Sequence, residues 1–101
     1  MEKISEEIFD EKIALPGNVI IDFSSPGCAP CKKVPPLLSE IIAENPEKKI
    51  SAFEVDVTEN PGIATRFFVL GVPTIIIFNS GSEVARFNSV PAKGKIVSAL
   101  K

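Results

Sequence analysis

Apolar positions change period several times along this chain, and each change marks an element. Ile4, Ile8, Phe9 and Ile13 recur at helical spacing, which predicts a helix over residues 5–14, capped by Ser5 and with Glu6 and Glu7 at its positive end. Pro16-Gly17-Asn18 breaks it. Val19-Ile20-Ile21-Asp22-Phe23 is apolar without clean alternation, the mark of a strand covered on both faces, and one acid interrupts it. A second helix is predicted from near Cys28 to about Glu44, with Leu37, Leu38, Ile41 and Ile42 as its core stripe and a kink at Pro35-Pro36. Residues 50–57 alternate moderately and read as a strand, and Pro61 fits the first turn of a third helix over 59–68. Thr74-Ile75-Ile76-Ile77-Phe78 is the strongest strand signal in the chain. The loop Asn79–Ser82 then turns the chain back through an edge strand over 83–88, and a last helix covers 92–100.

The order is α-β-α-β-α-β-β-α, with room for a very short first strand at Lys3-Ile4. Two β-α-β units call for parallel strands and the closing hairpin adds antiparallel ones. The expected fold class is therefore α/β, a mixed central sheet with helices on both faces. A length of 101 residues argues for a single domain over 1–101. With 45% hydrophobic and 24% charged residues the chain has a globular composition, large enough to fold without a structural disulfide. Eleven basic residues against thirteen acidic ones leave no basic stripe for a nucleic acid backbone. No apolar run approaches the roughly 20 residues that span a bilayer. The acidic first residues look unlike a secretory signal, so the expected location is the cytoplasm.

The chain contains no histidine, which excludes Ser-His and Cys-His nucleophile pairs and histidine-based zinc and haem sites. The chemistry therefore rests on Cys28-Ala29-Pro30-Cys31. Cysteines three apart at a helix start share a face and are close enough for a disulfide. The helix amides and dipole, with Lys32 and Lys33 nearby, favour a thiolate at the first position. Pro30 fixes the turn between the sulfurs. Two other readings of the pair stay open. It can be half of a metal site completed across a dimer, or a bland structural pair. A C-x-x-C that follows a strand in a β-α frame favours redox chemistry over both.

The stretch Val19-Ile-Ile-Asp-Phe-Ser-Ser-Pro-Gly-Cys-Ala-Pro-Cys-Lys resembles the active-site stretch of the thioredoxin family. Asn60-Pro61-Gly62-Ile63-Ala64 and Gly71-Val72-Pro73-Thr74-Ile75-Ile76-Ile77-Phe78 resemble further family segments, in the same order and at similar separations. The resemblance covers essentially the whole chain. It implies the thioredoxin fold and reduction of protein disulfides, with Cys28 as attacking thiolate and Cys31 as resolving thiol. It implies that Pro73 is the family's cis proline and that Val72 offers its backbone to an extended substrate. Gly27, Ala29, Pro30 and Val90 complete the implied substrate surface. No cofactor beyond the redox-active disulfide is implied, and no G-x-G-x-x-G motif for a nicotinamide or flavin is present. The implied partners are disulfide-containing proteins and a thioredoxin reductase, flavin- or ferredoxin-dependent, with the protein itself a monomer.

Asp22 matches the family's buried acid. An acid inside an apolar strand is costly unless neutral or paired, so its pKa should rise and it can relay a proton for Cys31. The departures from the family pattern are specific. Ser24 and Gly27 stand where aromatic residues are usual, and the chain has no Trp. Ala29 replaces the usual glycine, and Ser89-Val90-Pro91 replaces the glycine-containing loop after the last strand. Glu54 stands where the family's lysine approaches the buried acid. It is expected either to form a carboxylate pair with Asp22, or to swing out to water or a neighbouring cation. The seven phenylalanines are expected in the core, and Glu6-Glu7 and Lys48-Lys49 on solvated faces. A second function class also fits these departures: a binding or assembly module on the same fold whose cysteines are dispensable.

Overall fold

The computed structural model describes residues 1–101. The strands are β1 (Glu2–Lys3), β2 (Asn18–Ser24), β3 (Ile50–Asp56), β4 (Thr74–Asn79) and β5 (Ser82–Phe87). The helices are α1 (Glu6–Ile13), α2 (Val34–Glu44), α3 (Pro61–Arg66) and α4 (Lys93–Ala99), and a 3-10 turn at Pro30–Lys33 leads into α2. One sheet runs in the order β1-β3-β2-β4-β5. Both β1 and β2 pair parallel with β3, whereas β4 pairs antiparallel with β2, and β5 antiparallel with β4.

Strand alternation divides the core in two. Val19, Ile21, Phe23, Phe53, Val55, Ile76 and Phe78 point to one face, where Phe9 and Ile13 of α1 and Ile63 of α3 cover them. Ile20, Ile75 and Ile77 point to the other, under Val34, Leu38 and Ile41 of α2 and Ile96 of α4. Both faces of β2 are buried, which is why its sequence shows no alternation.

Several expectations need correction, among them Ile42, expected in the core stripe of the second helix but 37% exposed. Only one of the two expected β-α-β units is parallel: β2-α2-β3 is, but β4 runs against β2, so α3 reverses the chain instead of carrying it into a second parallel crossover. The second helix begins slightly later than Cys28 and opens as a 3-10 turn. A 3-10 turn precedes α2, and Pro35 and Pro36 lie in the first turn of α2, where their missing amides break no helical bond. Ser5 occupies the α1 cap position without a side-chain bond. Instead Asn60 Oδ1 accepts the Glu6 N–H at 3.0 Å. Glu6 Oε1 in turn accepts the Gly62 and Ile63 N–H groups at 2.8 and 3.3 Å, so α1 and α3 cap each other and Glu6 is no idle surface acid. Phe68 is not core: it is 77% exposed, at a φ of 55° beyond the end of α3. The hairpin loop is only Ser80-Gly81, both with positive φ (55° and 80°), the tight turn that matches strand twist.

Candidate active site

β2, β3 and β4 end or begin at one edge of the sheet, and that edge carries the chemistry. β2 leaves it at Ser24, opposite Asp56 at the end of β3, and Thr74 opens β4 opposite Phe23. Antiparallel pairing therefore brings Val72-Pro73, just before Thr74, to the end from which the cysteine loop departs. In that loop Gly27 takes a φ of 79°, a left-handed conformation that L side chains rarely adopt. Nothing lies within 4 Å of where its Cβ would be, so the rim before Cys28 is bare.

Cys28 and Cys31 form a disulfide with Cα atoms 5.3 Å apart. The Cys31 N–H points at Cys28 Sγ, 3.3 Å away, so an amide of the 3-10 turn faces the outer sulfur. This is the donor geometry that favours a thiolate there when the pair is reduced. The two sulfurs differ in access: Cys28 is half-buried and Cys31 is 6% exposed. A pocket opens beside them, lined among others by Ser24, Gly27, Cys28, Cys31, Lys32 and Glu54. Ala29 and Pro30 are exposed between the cysteines.

Asp22 lies fully buried in β2, and neither carboxylate oxygen has a hydrogen-bond partner. Its place in the alternation puts it on the α2 face, with Ile20. Burial first, and the Glu54 charge second, push its pKa up to about 7. Glu54 is its register partner on β3. The Glu54 carboxylate neither swings free nor meets a cation: Ser24 donates its hydroxyl to Oε2 at 2.6 Å.

The Val72–Pro73 bond is cis, as the resemblance implies. Val72 makes no backbone hydrogen bond within the chain, so its N–H and C=O are open. Val72 lines a neighbouring apolar groove with Val57, Ala64, Phe68, Val69 and Leu70, separate from the disulfide pocket. Val90 packs against the α2–α4 core and does not line the disulfide pocket. Two participants escaped the sequence reading of the site. Ser24 was legible, since it stands two residues after Asp22 and so shares its face. Pro35, which lines the pocket, gave no signal of its own.

A thioredoxin family model matches residues 1–101, the whole chain. The chain belongs to the thioredoxin family. Thioredoxins of Staphylococcus aureus strains Mu50, MW2 and N315 are each 33% identical to it over 98 residues, covering 97% of this chain and 92% of theirs. With the Cys28–Cys31 pair in place, this family member is a thiol–disulfide oxidoreductase that reduces protein disulfides through a mixed disulfide. Thioredoxins work through such a pair without an external cofactor, with disulfide-containing substrates and a reductase as partners. No group of three or more His, Cys, Asp or Glu side chains is placed to hold a metal ion, and no helix is long and apolar enough to cross a membrane.

Proposed function

We propose that the protein acts as a monomeric, single-domain electron carrier in the cytoplasm, supporting cell redox homeostasis. A thioredoxin reductase, flavin- or ferredoxin-dependent, reduces its disulfide. Cys28 is the attacking group and Cys31 the resolving one. The observation that carries this assignment is the asymmetry of the pair, an accessible outer sulfur facing an amide donor and an inner sulfur that is shielded.

In the first step the Cys28 thiolate attacks one sulfur of the substrate disulfide. The substrate S–S bond breaks, a Cys28–substrate disulfide forms, and the first substrate thiolate takes a proton. Cys31 then loses its proton to Asp22 and attacks Cys28 Sγ. The mixed disulfide breaks and the second substrate thiolate leaves and is protonated. Two electrons pass from the dithiol to the substrate. The open backbone of Val72, beside Pro73 and with Gly27, Ala29 and Pro30 across the site, supports docking of an extended substrate strand there. Val90, half-buried against the α2–α4 core, completes the proposed surface.

Insulin-type disulfide reduction, driven by dithiothreitol and then by each reductase type, tests the reading. Cys28→Ser abolishes turnover. Cys31→Ser abolishes it too, but accumulates a mixed disulfide with substrate. Preferential alkylation of Cys31 in the reduced protein at neutral pH reverses the assignment. If the double serine variant retains the cellular role, the protein is a binding or assembly module instead.

A further inference from the structure

Three side chains on one face of the sheet form a connected group behind the disulfide. Asp22 and Ser24 alternate along β2, and Glu54 is the register partner of Asp22 on the adjacent parallel strand. Adjacent strands lie about 5 Å apart, so these two side chains are neighbours on the face. The Asp22 carboxyl is sealed from water with no hydrogen-bond partner, so it is costly as an anion. The Glu54 carboxylate is only half-buried and lines the open pocket with Cys28, Cys31 and Lys32. The Ser24 hydroxyl, itself buried, ties Oε2 of Glu54 at 2.6 Å. A free glutamate would move its charge into solvent; this one is held at the boundary between the buried acid and the pocket.

We propose that Glu54, clamped by Ser24, is a positioning residue for the resolving step: acting through Asp22, it sets the pH at which Cys31 gives up its proton and attacks Cys28. The inference rests on the assignment of Cys31 as the resolving thiol. The elements packed directly over Asp22 are apolar. β4 presents Ile75 beside Asp22, α2 presents Val34 and Leu38, and α4 presents Ile96. The ionisable and charged groups at hand are Glu54, the two cysteines, Lys32, Asp56 and Lys3. Lys32 is exposed at the pocket rim, Asp56 stands opposite Ser24 and accepts from Thr58, and Lys3 of β1 is the register partner of Glu54 on its far side, with no ion pair to it. The fixed Glu54 charge makes a second anion next to it expensive. Asp22 therefore keeps its proton to higher pH, and it accepts the Cys31 proton only above that point. Removing the Glu54 charge lets Asp22 ionise sooner, and resolution reaches full rate at lower pH.

Two readouts test this. Carboxyl titration of Asp22 by NMR in the oxidised protein needs no turnover. Rapid mixing of the reduced protein with a bis(nitrobenzoate) disulfide releases one coloured thiolate as Cys28 attacks and a second as Cys31 closes the ring. The pH profile of the second release follows resolution alone. Glu54→Gln moves both midpoints down by roughly one pH unit. Ser24→Ala, which leaves the carboxylate but frees it, moves them the same way by less. In an Asp22→Asn background Glu54→Gln leaves the second-release profile unchanged. Unmoved midpoints in Glu54→Gln overturn the proposal, as does a full shift that persists without Asp22. Loss of the first release would instead count against the dithiol reading, and the Asp22 titration would still decide the coupling.

Discussion

The two faces of the central sheet are built from different materials. The α1–α3 face is aromatic. Phe9 lies 6.4, 5.3 and 6.0 Å from the ring centres of Phe23, Phe67 and Phe78, and Phe67 and Phe78 meet edge to face. The α2–α4 face is mainly aliphatic, with isoleucines, valine and leucine, and at its disulfide end it carries the buried acid Asp22 with Ser24 and Glu54 beside it. Packed aromatic rings of this kind bury large areas, so the first face contributes strongly to stability. The second face carries an ionisable group in a low-dielectric setting and gives up stability there. The same sheet thus supports the fold with one side and tunes proton transfer with the other.

Phe9→Ala breaks the comparison most forcefully. It leaves a cavity at the centre of the aromatic cluster and costs about 3–5 kcal/mol in denaturant unfolding, while the disulfide chemistry of the molecules that remain folded is unchanged. Such a loss is large beside a total stability of roughly 5–15 kcal/mol. A drop in activity per folded molecule as large as the loss of fold would show that the faces are not separable.

On the opposite face the effect runs the other way. The Asp22 pKa is raised from 3.8 to about 7 on folding, so the native state holds a proton that the unfolded chain has lost. The stability linked to that proton is complete below about pH 4 and falls as pH rises through about 7, by roughly 4 kcal/mol at most. Asp22→Asn removes this slope. The oxidised variant is then more stable than the parent at pH 8 and close to it at pH 4, by the difference between their unfolding curves. Comparing the two proteins cancels the carboxylates whose pKa values are lowered, such as Asp56. Parallel curves from pH 4 to 8 would mean that Asp22 is solvated.

Two smaller effects sharpen the picture at the edges of the aromatic face. Asn60→Ala removes the side chain that caps α1 and also bonds the Asp56 carbonyl at 3.0 Å, and costs about 1–2 kcal/mol by thermal or chemical melting. A variant as stable as the parent would show that the reciprocal capping of α1 and α3 contributes nothing net. Phe68→Gly relieves a φ of 55° at an exposed residue and raises stability by about 0.5–1 kcal/mol, less if the ring covers the groove beside it.

Much of this was open to reading one residue at a time. Helical spacing in residues 4–13, the apolar run of β2 and the β4 signal follow from periodicity, because burial repeats with backbone geometry. Cys28-Ala29-Pro30-Cys31 needs only four consecutive residues to declare its chemistry, and Asp22 declares itself as an acid in an apolar run. Where the reading failed, the deciding partner lay far along the chain. Ser5 looked like a cap because capping is usually local, but Asn60, 54 residues from the Glu6 amide it receives, takes the role. Pattern alone does not distinguish a parallel from an antiparallel β4, since both present the same alternation. Phe68 carries a core residue's chemistry at a place where the chain turns away from the core. The sequence alone determined which residues could form strands and helices and which pair could exchange electrons. Only the tertiary structure decided between a Glu54 that swings away and one held opposite Asp22 by Ser24, because strand register and side-chain partners are properties of the assembled sheet.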